Sequence, residues 1–157
     1  MNCQCGQGKS WREIAWLFGR AVAYALTTFP VLIKFDGLRE NGKIYTVGID
    51  AFPDYEATRR FDGADLSLIL REVFPTDPAS APGQDEPSIV RLADLLAMID
   101  RVARSGCYIA IRIDAAASGG PFEIVMGDGI FQKQGVRYQG ADLVALLEAS
   151  VSHYNAL

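Results

Sequence analysis

The stretch VLIKFD at residues 31–36 alternates strongly apolar side chains with others, and a similar stretch, IAIRID, follows 78 positions later at residues 109–114. Alternation of this kind is typical of a β-strand with one buried face, because successive side chains point to opposite faces of a sheet. Lys34 matches Arg112, and Asp36 matches Asp114. The sequence therefore predicts two equivalent strands, each with one face in the core.

Three further pairs of segments match in the same order around these strands, with one residue removed in the loop after the first strand. Ordered matches at nearly constant spacing indicate an internal duplication. The alternative is two generic amphipathic halves that align because similar helices and strands recur. The pairs are SWREIAWLF (10–18) with SIVRLADLL (88–96), YTVGI (45–49) with FEIVM (122–126), and FDGADLSLIL (61–70) with YQGADLVALL (138–147).

Each half has the pattern of a helix, three strands and a second helix. We expect units at residues 10–74 and 88–154, joined by the extended, Pro-rich linker 75–87. The third strands are expected near 55–61 and 131–138. The predicted fold class is α+β: two tandem pseudo-symmetric α-β-β-β-α units in a single compact domain over residues 1–157. An antiparallel sheet carries the helices on one face, and the marginal core of one isolated unit favours a shared sheet.

Loop lengths provide a test of this pairing, because antiparallel partners must bring their apolar residues to the same face. In the second half, residues 109–113 and 122–126 suit a two-residue turn at Gly119-Gly120. In the first half, residues 31–35 and 45–49 require an odd loop or a bulge near Asn41-Gly42. The one-residue gap in the repeat falls in this loop.

Composition excludes several classes of function. The net charge is −4 and the isoelectric point is near 4.9, with no cluster of basic residues, so we expect no nucleic-acid binding. No apolar run approaches the roughly 18 residues that a membrane-spanning helix needs, and the N-terminus lacks a secretory signal pattern. We therefore expect no membrane association and a cytoplasmic location.

The order helix, three strands, helix resembles that of the double-stranded RNA-binding domain, which covers a unit of about this length. That family begins its second helix with lysines that meet phosphates. The matching segments here are FDGADLSL and YQGADLVA, which are acidic and contain no lysine. The resemblance therefore implies a shared topology and no RNA binding.

The segment GQGKS at residues 6–10 looks like the end of a phosphate-binding loop. Such a loop requires a glycine where this chain has Cys3, and a buried strand before it. Ser10 aligns with Ser88, and both stand immediately before an apolar helical stripe. Ser10 and Glu13 instead have the spacing of a capping box at the start of the first helix.

Candidate catalytic and metal-binding residues are few. His153 is the only histidine, and Cys3, Cys5 and Cys107 are too few for a tetrahedral metal site, so they are expected to be reduced thiols. Asp65 and Asp142 are expected in the first turns of helices. We predict no catalytic residue, no metal and no cofactor.

The first helix has the most suggestive surface. Trp16, Arg20 and Tyr24 lie off its buried stripe, and its second face is largely apolar. This pattern predicts either a central helix covered on two sides or an interface with another chain.

These observations favour a non-enzymatic, acidic binding protein, such as an inhibitor, an immunity factor or a chaperone. Its partner would be another protein or a second copy of itself. The alternative is a small-molecule binder or hydrolase with a site at the groove between the units. The residues that would line that site are Tyr45, Asp50, Phe52, Tyr55, Phe122 and Asp128.

Overall fold

The computed structural model of the chain describes residues 11–51, 57–75, 86–127 and 135–156. These residues form four helices and six strands in the order helix, three strands, two helices, three strands, helix. The helices are α1 (Trp11–Thr27), α2 (Leu66–Val73), α3 (Pro87–Arg104) and α4 (Leu143–Asn155). The strands are β1 (Val31–Asp36), β2 (Tyr45–Ala51), β3 (Ala57–Gly63), β4 (Tyr108–Ile113), β5 (Phe122–Gly127) and β6 (Val136–Gly140).

All six strands belong to one antiparallel sheet with the order β3-β2-β1-β4-β5-β6. The two strands from which the sequence prediction started, β1 and β4, are the central pair, and Ile33 lies opposite Ile111 in the middle of it. The third strands end later than predicted, at Gly63 and Gly140, because both glycines pair with the first residue of the neighbouring strand.

In both hairpins the apolar residues of the two strands lie on the same face of the sheet, as predicted, since Phe35 pairs with Tyr45 and Ile113 pairs with Phe122. Nine residues, 36–44, lie between the paired Phe35 and Tyr45, so the first connection has the expected odd length. The predicted two-residue turn at Gly119-Gly120 is wrong, because eight residues, 114–121, lie between the paired Ile113 and Phe122. Asp114 accepts a hydrogen bond from the amide of Ala116, and a Cβ at Gly120 would overlap the backbone of Gly140. The hydrogen bond orders the start of the longer loop, and its end passes close to Gly140.

All four helices pack on one face of the sheet. The apolar residues that alternate along the four inner strands share a single buried cluster with the apolar stripes of the helices. α1 contacts α2 and α3, and α3 contacts α4, so the helix layer has the order α2-α1-α3-α4. The fully buried side chains at its centre include Phe18, Ile33, Leu96 and Ile111. None of the helices in the described ranges combines the length and hydrophobicity needed to cross a bilayer.

Candidate interaction groove

Helix α1 occupies a central position, and the three surface residues predicted on it lie in two places. Tyr24 faces α2, where its ring meets Phe74 edge to face with 5.2 Å between the ring centroids. Trp16 and Arg20 lie on the side of α3 and α4. The second face of α1 is therefore partly covered by the chain itself, while Trp16 stays half-buried and Arg20 is exposed.

Trp16 and Arg20 line a groove of about 300 Å³, which we call the three-helix groove. It lies where the middle of α1 meets the first turns of α3 and α4. Trp16 and Leu92 are half-buried, so part of their apolar surface faces solvent. The nine residues that line the groove are Ala15, Trp16, Gly19, Arg20, Ser88, Ile89, Leu92, Leu143 and Val144.

Gly19 leaves open space in this groove because it has no side chain. A Cβ placed on Gly19 would have no heavy atom within 4 Å. Glycine inside a helix costs about 1 kcal/mol relative to alanine, and packing does not require it here. The sequence prediction did not include Gly19, although an unforced glycine in the middle of a helix was a signal available in it.

Among the described residues around the groove, one cation has no ion-pair partner. Arg71 on α2 pairs with Glu13, and Arg91 on α3 pairs with Glu148 on α4, with 2.8 Å between Nη2 and Oε1 in the second pair. Within the part of the chain that the structure describes, the exposed Arg20 makes no ion pair. The groove thus combines an apolar lining with one uncompensated positive charge.

A second concavity, the α3–α4 recess, lies further along the same two helices and has a volume of about 360 Å³. Arg101 is exposed and, among the described residues, has no ion-pair partner. The recess is lined by Met98, Arg101, Val102, Val151, Tyr154 and Asn155.

The residues predicted for a small-molecule site lie elsewhere. Tyr45 and Phe122 are buried on the helix-covered face of the sheet, and Asp50 lies near the end of β2 with a φ of 57°. Phe52, Tyr55 and Asp128 lie outside the described residues. Neither of the two concavities described above is lined by Tyr45, Asp50 or Phe122.

Tyr45 belongs to a buried polar cluster that sequence reasoning missed. Its hydroxyl donates to Oδ1 of Asp100 at 2.5 Å, and Arg104 Nε donates to Oδ2 of the same carboxylate at 2.8 Å. Arg104 also donates from Nη2 to the Tyr45 hydroxyl at 3.1 Å. Burial, reinforced by the negative charge of Asp100, raises the pKa of Tyr45 well above its usual range. The cluster ties β2 to α3.

The remaining acidic residues singled out in the sequence have structural roles. Asp65 and Asp142 are the N-caps of α2 and α4, and their carboxylates accept from backbone amides one turn ahead. Asp36 accepts from the amide of Leu38 at 3.2 Å, as Asp114 does from Ala116 at 3.0 Å. Among the described residues, no group of three or more His, Cys, Asp or Glu side chains could hold a metal ion.

The other two candidate reactive side chains, those of His153 and Cys107, also contact neighbouring polar groups. Nδ1 of the half-buried His153 lies 3.0 Å from the hydroxyl of Tyr138. Cys107 is buried, and its Sγ lies 3.0 Å from the carbonyl oxygen of Val102. Burial raises the pKa of the Cys107 thiol, which disfavours the reactive thiolate. Ser10 and the rest of GQGKS lie outside the described residues.

The sheet face opposite the helices carries a second charged cluster, centred on Asp62. Its carboxylate accepts from Arg39 Nη1 at 2.8 Å, from Arg60 Nε at 2.9 Å and from Thr46 Oγ1 at 2.5 Å. Burial alone would raise the pKa of Asp62, but these hydrogen bonds outweigh it and hold the pKa well below its usual range. Each carboxylate oxygen accepts at least one hydrogen bond, and the cluster links β2, β3 and the loop after β1.

Comparison with protein-family models, curated proteins and solved structures returned no match for this chain. Its functional assignment therefore depends on its own contacts.

Proposed function

We propose that this protein is a binding protein that recognises a protein partner through the three-helix groove. The observation that carries this proposal is the combination of a half-buried tryptophan, a groove lined mainly by apolar residues of three helices, and an adjacent arginine that has no ion pair within the described ranges. Tryptophan and arginine are enriched among the residues that contribute most to protein interfaces. A solvent-facing apolar groove is favourable to cover, because covering it removes apolar area from water.

We also propose that the chain consists of two equivalent units related by a pseudo-twofold axis. The register of the central strands supports this, since Ile33 and Ile111 are 78 positions apart and lie opposite each other. A twofold axis through this pair converts the pair Val31–Ile113 into the pair Ile109–Phe35, which the register also contains.

Side-chain contacts support the same equivalence. The ion pair Glu13–Arg71 occupies positions that match Arg91–Glu148 in the repeat, with the two charges exchanged. Lys34–Asp36 likewise matches Arg112–Asp114. Contacts of the same kind at matching positions are expected from duplication and not from two unrelated halves.

The three-helix groove lies where this equivalence fails. Trp16 matches Asp94, Gly19 matches Ala97, and Arg20 matches Met98. In the matching region of the other unit, an exposed carboxylate stands in place of the tryptophan, and an alanine stands in place of the glycine. This difference supports a binding role for the side of the helix layer that carries the groove. A helix layer with a purely structural role does not require an open apolar groove on one side.

Substitutions at Gly19 test the proposal without removing any existing contact. In Gly19→Leu the new side chain projects into the groove, whereas Gly19→Ala adds only a methyl group that meets no neighbour. The wild type and both variants are immobilised and exposed to a lysate of the native cells, and retained proteins are identified by mass spectrometry. We expect a protein that the wild type and Gly19→Ala retain and Gly19→Leu does not.

Native mass spectrometry of the same three proteins separates a foreign partner from a second copy. A dimer of the wild type that is absent in Gly19→Leu would identify the partner as the chain itself. Equal retention by all three proteins, together with an unchanged oligomeric state, would contradict a binding role for the groove.

A further inference from the structure

We infer that the α3–α4 recess is a second binding site, and that its ligand is a small aromatic carboxylic acid. The aromatic ring lies between α3 and α4, and the carboxylate meets Arg101. This site is separate from the three-helix groove, and the inference goes beyond the function proposed for that groove. One of its arguments uses the proposed equivalence of the two units.

The recess lies between the last turns of two helices that pack against each other. Each helix contributes three residues with the spacing i, i+3 and i+4, which places each set on one face of its helix. The two sets are Met98, Arg101 and Val102 on α3, and Val151, Tyr154 and Asn155 on α4. Both valines are buried and Met98 is half-buried, so the buried part of the lining is apolar.

The matching place in the first unit is occupied by two aromatic rings. Val102 matches Tyr24 in the repeat, and Val151 matches Phe74. The rings of Tyr24 and Phe74 meet edge to face between α1 and the end of α2. The second unit has the smaller valines at both positions, and it has a recess there. An aromatic ring is therefore the group that the first unit places in the equivalent space.

The volume of the recess suits a small ligand. It is about 360 Å³. An apolar cavity of about 150 Å³ is sufficient to bind benzene, and pockets for small molecules begin at about 300 Å³. The recess therefore has space for one aromatic ring with a short acidic side chain.

The charge of Arg101 favours a carboxylate on this ligand. Arg101 is exposed and makes no ion pair with any other described residue. Asp94 lies on the same face of α3 but two turns earlier, roughly 10 Å along the helix axis, and Asp100 is bound by Arg104. Arg101 and Arg104 both lie in the last turn of α3, where they offset the negative end of the helix dipole. A guanidinium group can bind a carboxylate through two hydrogen bonds.

NMR titrations with two matched probes test the inference. The probes are 3-phenylpropionate and its neutral amide, 3-phenylpropanamide, each added to the isotopically labelled full-length protein. The highest concentration is about 10 mM, because a ligand of this size reaches a dissociation constant on the order of 1 mM. We expect saturable shifts of the amide signals of residues 98–102 and 151–155. The acid should bind roughly fivefold more tightly than the amide, as for one exposed charge contact.

Two variants separate the contribution of the ring from that of the charge. Val102→Tyr combined with Val151→Phe places the aromatic pair of the first unit in the recess, and it should abolish the binding of both probes. Arg101→Ala should weaken binding of the acid roughly fivefold and leave binding of the amide unchanged. Arg59→Ala, at an exposed arginine on the distant edge strand β3, is the control and should bind both probes as the wild type does.

The absence of saturable shifts with either probe would overturn the inference, as would shifts centred outside the recess or unchanged binding by the double variant. Equal affinity for the acid and the amide, or acid binding that ignores Arg101→Ala, would overturn the assignment of a carboxylate. Because Arg101 is exposed, its substitution decides the test even where the double variant fails to fold. None of these results depends on Gly19, so a failure here leaves the proposed function of the three-helix groove standing.

Discussion

Tyr45 and Asp100 share a buried hydrogen bond of 2.5 Å between strand β2 and helix α3, and Arg104 completes the cluster. Both residues are about 5% exposed. A buried carboxylate is stable only where its charge is paired and its oxygens accept hydrogen bonds. The bond therefore fixes α3 against a strand of the other half of the chain.

Tyr45→Phe removes the hydroxyl and leaves the ring in place. We expect a loss of about 2 kcal/mol in the free energy of unfolding, because one hydrogen bond to a buried charged group disappears. Urea unfolding followed by circular dichroism measures this. Tyr24→Phe is the control, since the Tyr24 hydroxyl makes no hydrogen bond among the described residues. Equal stability of the two variants would show that the Tyr45 hydroxyl contributes nothing.

The raised pKa of Tyr45 also predicts a loss of stability at alkaline pH. The folded protein keeps the phenolic proton to higher pH than the unfolded chain, whose tyrosines ionise near pH 10. The folded state therefore binds more protons, and stability falls as pH rises from about 10 upward. We expect unfolding free energies measured from pH 8 to 11 to fall more steeply for the wild type than for Tyr45→Phe. Parallel curves would contradict this linkage.

The lowered pKa of Asp62 predicts a loss of stability at acidic pH. Its pKa is depressed in the folded state by Arg60, Thr46 and Arg39, which together outweigh the effect of burial. The stabilisation is complete above the unfolded value near 4 and is lost as pH falls below it. Asp62→Asn should therefore lose less stability than the wild type between pH 5 and 2. Asp94→Asn is the control, because Asp94 is exposed and makes no ion pair with any residue in the described ranges.

The sheet could be predicted from sequence because strand periodicity and loop parity constrain each other. Pairing Phe35 with Tyr45 requires an odd number of residues between them, and the chain has nine there. The predicted turn at Gly119-Gly120 was wrong because parity distinguishes odd from even loops and cannot separate two residues from eight. Which even length forms depends on the contact between Gly120 and Gly140, which are distant along the chain.

The sites were less predictable because they depend on contacts between distant elements. Asp100 lies on the buried side of α3, and nothing near it in sequence indicates that Tyr45 satisfies its carboxylate. Trp16 and Arg20 were identifiable because they lie off the apolar stripe of their own helix. Leu143 and Val144 were not, because their contribution to the groove depends on where α4 begins relative to α1.

The proposed equivalence of the two units predicts that one ion pair can be reversed. Arg91→Glu combined with Glu148→Arg gives the second pair the polarity of the first. Each single change should cost up to about 1 kcal/mol through repulsion at this half-exposed site, and the double variant should recover most of the loss. A double-mutant cycle from urea unfolding measures the coupling. Additive losses would show that the two positions do not interact.

Alanine substitutions at two glycines test the effects of packing and of helix propensity separately. A Cβ at Gly37 would overlap the carbonyl oxygen of Ala103 at the end of α3, and the Gly37 amide donates to the carbonyl of Cys107 at 3.0 Å. Gly37→Ala must therefore push the β1–β2 loop away from α3, and we expect a loss of about 1–3 kcal/mol, typical of overpacking. Thermal and urea unfolding measure this change.

Gly19→Ala is the matched comparison, because the same methyl group enters open space on α1. It should raise the free energy of unfolding by about 1 kcal/mol through helix propensity alone. A gain at Gly37, or a loss at Gly19, would contradict the packing assigned to these positions. The small methyl group of Gly19→Ala is expected to leave the groove open, so this variant should retain a partner that Gly19→Leu loses. The pair of variants therefore separates an effect on binding from an effect on folding at one residue.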